Sequence, residues 1–236
     1  MKVCIAGENY REILNNLKKK GSVILVEKGE GGEEKLVFSR DCIKFGVKPK
    51  NLREVLEVLA DLGYSYALLK GFDDDEVKNI GISIPRISKA EEIEDAEDVE
   101  SLKSLIGKLK DSQGSEFCGA IGVFIGFVRK IQDGREVVRL EYEKFDDIYD
   151  RVRREIESEV EKMDGVRAVR IYHKTGAVVP KEDIVYVLVM ADHRKNLWEA
   201  LQKAVELFKE KLPVWKKEVY VDGEIWAHDR DLNKGS

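Results

Sequence analysis

No apolar run in this 236-residue chain is long enough to cross a bilayer as a helix, and its first residues lack the pattern of a secretion signal. Cysteine is scarce. Cys4, Cys42 and Cys118 are odd in number, far apart, and form no CxxC or Cys/His cluster, so no zinc site and no other metal is expected. Cys4 and Cys118 sit in apolar, strand-like runs where buried thiols are common, and no cysteine is given a catalytic role. These features predict a reduced, cytoplasmic protein. Basic blocks are missing too: 41 Lys and Arg are interspersed with 46 Asp and Glu, for a net charge of −5. That mixture gives no case for nucleic acid as a partner.

What is present is ample material for a core. Apolar residues make up 43% of the chain and charged residues 37%, in a length that suits one large domain or two ordinary ones. The first half alternates strand and helix signals. Lys2 to Ala6 reads as an apolar strand, and Asn9 to Lys20 as a helix with Ile13 and Leu17 inward and Gly21 closing it. Ser22 to Val26 reads as a second strand. Leu52, Val55, Leu56 and Leu59 share a helix face that ends near Gly63. Tyr64 to Leu69 reads as a third strand and Ile80 to Ile84 as a fourth. This order predicts an α/β domain with a mostly parallel sheet. An acidic stretch, Glu91 to Glu100, leads into a helix over Leu102 to Leu109. The polar segment Asp111 to Ser115 then sets the boundary, giving domains 1–112 and 113–236.

The second half predicts an α+β domain with an antiparallel sheet. Gly119 to Val128 is a nearly continuous apolar strand, and Asp133-Gly134 is a hairpin turn signal. Val138, Leu140 and Tyr142 alternate with Arg139, Glu141 and Glu143, as in a half-buried strand. Ile148, Val152, Ile156 and Val160 make one helix face. Val169 and Ile171 mark a strand, and Ile184 to Ala191 a buried one. Asn196 with Glu199 has the spacing of a helix N-cap, and Trp198, Leu201, Val205 and Phe208 make the face of the helix that follows. Pro213 stops that helix, and Trp215 to Val221 is extended.

Several residues carry possible chemistry. Lys209 falls in the last turn of that helix and Lys216 at the start of the next strand. Pro213 turns the chain between them, so two ammonium groups can converge on one corner. Taken alone, the spacing favours two solvated surface lysines, which is what most lysines are. Asp192-His193-Arg194 follows an apolar strand and precedes a helix N-terminus, a place that favours anions or simply caps itself. Arg129 ends the strand Gly126-Phe127-Val128, and Trp226 and Arg230 lie four residues apart.

Together these segments resemble the large, catalytic subunit of molybdopterin synthase over about residues 115 to 230. The resemblance rests on ordered motifs. Gly119-Ala120 opens a strand that ends Phe124-Ile125-Gly126-Phe127-Val128-Arg129, and Leu140-Glu141-Tyr142-Glu143 follows. Then come His173-Lys174-Thr175-Gly176, His193-Arg194, the block from Lys209 to Trp215-Lys216-Lys217-Glu218, and Gly223 with Trp226. The resemblance implies a sulfurtransferase without a cofactor. Its donor is a small ubiquitin-like partner with a C-terminal Gly-Gly thiocarboxylate, and its acceptor is cyclic pyranopterin monophosphate (precursor Z), which becomes the dithiolene of molybdopterin. It also implies a homodimer of large subunits with a small subunit on each, and a pocket drawing on both large subunits. The family's pocket lysines fall on Lys209 and Lys216, its arginines on Arg129 and Arg230, its histidine–arginine pair on His193 and Arg194, and a lining phenylalanine on Phe124.

Thiocarboxylate and phosphate are both anions, so an Arg- and Lys-rich pocket suits them. A lysine held among other cations exchanges protons more readily near neutral pH. Lys209 is therefore assigned to proton transfer or acyl handling, Lys216 to anion stabilisation, and His193 to orientation or proton transfer. Lys130-Ile131 and Val205 depart from the family pattern without removing a charged site residue. A scaffold that only gathers other cofactor-assembly proteins is the alternative.

The first half resembles the GTP-binding accessory protein of molybdopterin guanine dinucleotide synthesis over about residues 1 to 110. The motifs are the opening strand, Leu69-Lys70-Gly71-Phe72 before Lys78-Asn79-Ile80, and the closing acidic helix. Its phosphate loop is degenerate. Gly7 is followed by Glu8-Asn9-Tyr10-Arg11-Glu12, with no second glycine and no Gly-Lys-Ser/Thr, and Glu8 and Glu12 would repel a triphosphate. A docking or structural module without nucleotide is expected.

Overall fold

In the computed structural model, which describes residues 1–28, 36–39, 42–45, 52–73, 77, 82, 84–144 and 146–226, the chain divides into two units, 1–101 and 102–236. In the first unit, β1 (Lys2–Ala6) leads through α1 (Tyr10–Lys20) to β2 (Val23–Glu27). The hairpin β3 (Leu36–Ser39) and β4 (Cys42–Phe45) follows, then α2 (Leu52–Asp61), β5 (Tyr66–Lys70) and β6 (Arg86–Ile87). Four strands form a sheet in the order β2-β5-β1-β6, and every pair is parallel.

Strand β1 shows why this sequence gives that layer. Side chains alternate across a sheet, so Val3 and Ile5 go one way and Cys4 and Ala6 the other. Val3 and Ile5 pack in the cluster that holds Leu56, Leu59 and Ala60 of α2, while Cys4 and Ala6 join Ile13 and Leu17 of α1. A strand covered by a helix on each face must be apolar throughout, as parallel strands usually are. Burial pushes the Cys4 thiol up to about 12, which suits packing rather than reactivity. The strand expected over 80–84 falls partly outside the described residues, and its residues 82 and 84 are not in a strand. The strand beside β1 is Arg86–Ile87 instead.

The second unit begins with α3 (Leu102–Lys110), not at residue 113. Leu105 and Leu109 of α3 are buried against Ala168, Tyr186, Leu188 and Met190, so this helix belongs to the second core. The polar segment after it is a turn within the unit. Strands β7 (Ala120–Phe127), β8 (Ile131–Gln132) and β9 (Arg135–Lys144) follow, then α4 (Asp146–Glu161), β10 (Val166–His173), β11 (Gly176–Val178) and β12 (Asp183–Ala191). Next come α5 (Arg194–Lys211), β13 (Val214–Tyr220) and β14 (Gly223–Trp226). All pairing is antiparallel. One sheet has the order β10-β12-β7, and the other β11-β9-β13-β14 with β8 on β9.

The central strand β12 is buried almost throughout. Val185, Val187, Val189 and Ala191 meet α4 and α5, and Tyr186, Leu188 and Met190 meet α3. Strand β10 forms one edge of this sheet, and α4 closes it. The outward amides of Val169 and Ile171 donate to Glu161 (2.9 Å) and Glu157 (2.8 Å), and that of His173 to the Tyr149 hydroxyl (3.2 Å). These partners lie on one helical stripe, because residues four apart share a face.

Three sequence expectations change here. Val138 is exposed and Val137 buried, because the β9–β13 register shifts where Tyr220 pairs with Val137 and Val219 with Arg139. This bulge moves the inward alternation by one residue. The buried face of α5 is Leu197, Ala200, Ala204, Leu207 and Phe208, while Trp198 is 63% exposed. Ile148, expected on the inner face of α4, is also exposed.

Candidate functional site

The geometry of the candidate site follows from how α5 lies on β7. A side chain at Gly122 would press on Leu197 and Leu201, so its bare backbone lets the helix sit close. Further along, Phe124 of β7 meets Phe208 of α5, with ring centroids 6.2 Å apart. Helix and strand therefore run in the same direction, and their C-terminal ends share one end of the unit.

Lys209 follows Phe208 in the last turn of α5, where cations suit the helix dipole. Its ammonium stands 5.6 Å from the centroid of the Phe124 ring, a favourable cation–π approach. Among the described residues no carboxylate pairs with Lys209. The structure thus brings together two residues named separately from the sequence.

Leu212 caps α5, Pro213 turns the chain, and β13 starts at Val214. Lys216 lies opposite Tyr142 of β9 and is half-buried. Its ammonium is 2.6 Å from Glu218, a carboxylate with no solvent exposure. Arg129 follows β7 two residues after Phe127, at the end where Lys209 lies. It is exposed and, among the described residues, has no acidic partner. Arg230 lies outside the described residues.

His193 and Arg194 are elsewhere. His193 is the N-cap of α5 and Arg194 its first residue, and both are exposed. Sixteen residue steps lead from His193 to Lys209, about 24 Å at the rise of an α-helix. Lys209 and the His193-Arg194 pair therefore stand at opposite ends of α5 rather than in one cluster within a chain.

The turn carrying His193 and Arg194 is firmly built. Asn196 is not the cap. It sits in the first turn and donates to Asp192 Oδ1 at 3.0 Å, and the His193 amide donates to the same oxygen at 2.5 Å. Partial burial raises the Asp192 pKa, but these two hydrogen bonds and the charges of His193 and Arg167 outweigh it and leave the carboxyl below its ordinary range. The Asp192 amide donates to Gly165 O at 2.9 Å, bringing the loop against the α4–β10 turn.

Sequence reasoning gave no role to Glu218 or to its neighbour Gln132. Alternation along β13 was the available signal, since it places Glu218 on the same face as Lys216. Among the described residues, no group of three His, Cys, Asp or Glu is placed to hold a metal ion.

Comparison with known proteins adds the following. The MoaE protein family matches residues 94–211, a stretch that ends with α5 and includes every named cation from Arg129 to Lys209. A probable molybdopterin synthase from Haloferax volcanii is 33% identical over 198 residues, covering 75% of this chain and 76% of that protein. That coverage exceeds what the second unit alone can supply. The molybdopterin synthase catalytic subunit of Bacillus subtilis is 40% identical over 113 residues, covering 48% of this chain and 71% of that protein. A crystal structure of molybdopterin synthase from Staphylococcus aureus is 34% identical, covers 47% of this chain and 81% of its own, and has a TM-score of 0.45.

Proposed function

Because the chain belongs to the MoaE family, we propose that it transfers sulfur from the thiocarboxylated C-terminus of a small ubiquitin-like partner to cyclic pyranopterin monophosphate. The second unit is the catalytic subunit of a molybdopterin synthase, a sulfurtransferase. Two such transfers would make the dithiolene. The observation that carries the residue assignment is Lys209. It lies within the family match, holds its ammonium over Phe124, and has no acidic partner among the described residues.

An anionic donor tail reaching this corner would meet Lys209, Lys216 and Arg129. In this reading Lys209 handles the acyl group or moves the proton, and Lys216 and Arg129 hold negative charge. His193 and Arg194, about 24 Å away along α5, reach such a site only from a second copy of the chain. This supports a homodimer in which each site is shared. Arg230 is carried as a further anion contact on the resemblance alone.

The test is reconstitution with a thiocarboxylated small partner and the pterin precursor, measuring dithiolene product. Wild type is expected to form product, and Lys209→Ala to lose at least about 100-fold in rate with an unchanged melting temperature. Full activity in Lys209→Ala removes its assignment, and an inactive wild type removes the function.

The first unit is read as a docking or structural module derived from a nucleotide-binding sheet like that of the guanine dinucleotide accessory proteins. In parallel sheets, phosphates bind where the first strand meets its helix. Here Asn9 spans that place, its amide donating to Ser88 O at 2.6 Å, and Lys70 stands 4.3 Å over the Tyr10 ring. Titration calorimetry with GTP at micromolar concentration is expected to show no binding heat; saturable binding would contradict this.

A further inference from the structure

Glu218 is the most deeply buried charged side chain among the described residues. It projects from the middle of β13 on the face shared by Lys216 and Tyr220. Its Oε1 lies 2.6 Å from the Lys216 ammonium and accepts from Gln132 Nε2 at 2.5 Å. Its Oε2 accepts from the Tyr220 hydroxyl. Both oxygens are therefore engaged, and two of the partners, Gln132 and Tyr220, are themselves buried.

The surroundings reinforce this arrangement from neighbouring strands. The Arg135 guanidinium of β9 lies 3.9 Å from the centroid of the Tyr220 ring and is held at 2.7 Å by Asp222. Tyr142 of β9, opposite Lys216, is held above the ordinary phenol range by burial and then by the charge of Glu218. It stays a neutral phenol beside the ion pair.

A buried carboxylate is a poor way to gain stability, since apolar residues of similar volume usually serve as well or better. What it supplies is position. A lysine side chain turns about four bonds and, unheld, spreads its charge over many places. Clamped to a carboxylate that is itself braced on two sides, the Lys216 ammonium is confined to one. We infer that Glu218, braced by Gln132 and Tyr220, is a positioning residue that fixes the ammonium of Lys216 for the anions of the reaction. Lys209 is then left for the mobile proton. The inference rests on the sulfur-transfer reading above.

A double-mutant cycle tests it, using sulfur transfer from the thiocarboxylated partner to the pterin precursor. Glu218→Gln should lower kcat/KM by about 10- to 100-fold, chiefly through KM, as displacement of a binding charge does. Lys216→Ala should lose at least as much. Adding Glu218→Gln to Lys216→Ala should change the rate less than about twofold, because the clamp then has nothing to hold. Losses that multiply in the double variant overturn the inference, because Glu218 would then act other than through Lys216. If melting shows that Glu218→Gln does not fold, Tyr220→Phe removes one brace. It should cost about 3- to 10-fold in wild type and nothing in Lys216→Ala. No effect, or an equal effect in both backgrounds, overturns the inference. An inactive wild type removes the function itself. An active wild type with a multiplicative cycle removes only the role of Glu218.

Discussion

Gly165 has φ of +71°, and a Cβ built there would run into Asn196 Nδ2 and Asp192 Oδ1. Both the backbone angle and the space exclude a side chain. Gly165→Ala is therefore expected to destabilise the second unit by about 2–4 kcal/mol, from left-handed strain and overpacking together. A denaturant titration followed by fluorescence would show the midpoint shift; an unchanged midpoint would mean the turn relaxes freely. The variant should also disturb the His193-Arg194 turn, since Asp192 links the two loops. At this scale the sequence was partly legible. Asp133-Gly134 forms its turn, with φ of 49° and 77°. Trp198 was misread because the inner stripe of α5 is set by Leu197, Ala200 and Ala204. Two alanines look unremarkable in a string of letters, yet they let a helix lie close to a sheet. Lys209 beside Phe124 was not legible from spacing at all; family motifs named both, and only the packing of α5 on β7 shows them in contact.

The pairing of α4 with β10 makes a prediction about pH. Burial raises the pKa of Glu157 above the ordinary value of 4.5; the charge of Arg153 and the hydrogen bonds from the Ile171 amide and Arg153 oppose this only in part. Between 4.5 and that raised value, the folded protein holds a proton the unfolded chain has released. Stability therefore falls as pH increases through this window. Glu157→Gln still accepts from Ile171 but does not titrate, so it should lose that part of the slope. Melting temperatures of both proteins across mildly acidic pH provide the check, and identical slopes would rule the account out. The longer elements and their order followed from hydrophobic period, whereas the β3–β4 hairpin and the short strands β6, β8, β11 and β14 carry too few residues to show one. Ends and phases were not legible where a bulge intervened, as at Val138. The boundary was misplaced for a related reason. A polar turn looks the same whether it joins two cores or, as after α3, lies inside one.

At the scale of the molecule, the placement of Lys209 and Arg194 at opposite ends of α5 separates two arrangements. If each site combines Lys209 of one copy with Arg194 of another, mixing Lys209→Ala and Arg194→Ala chains should restore activity. Random exchange makes half the dimers mixed, each with one intact site, so about a quarter of wild-type activity should return. No recovery after verified exchange would place all the catalytic groups within one chain. Helix length made this separation readable before any coordinates. The family motifs, being ordered along the chain, hid it.

Strand β10 has another consequence. Its outer amides are occupied by α4, whereas β7, at the opposite margin, has no further strand beside it among the described residues. A layer that can be extended on one side only is completed by a single newcomer, because what it joins is again closed behind. Were copies to join through that layer, growth would stop at two, with no second margin from which an endless ribbon could continue.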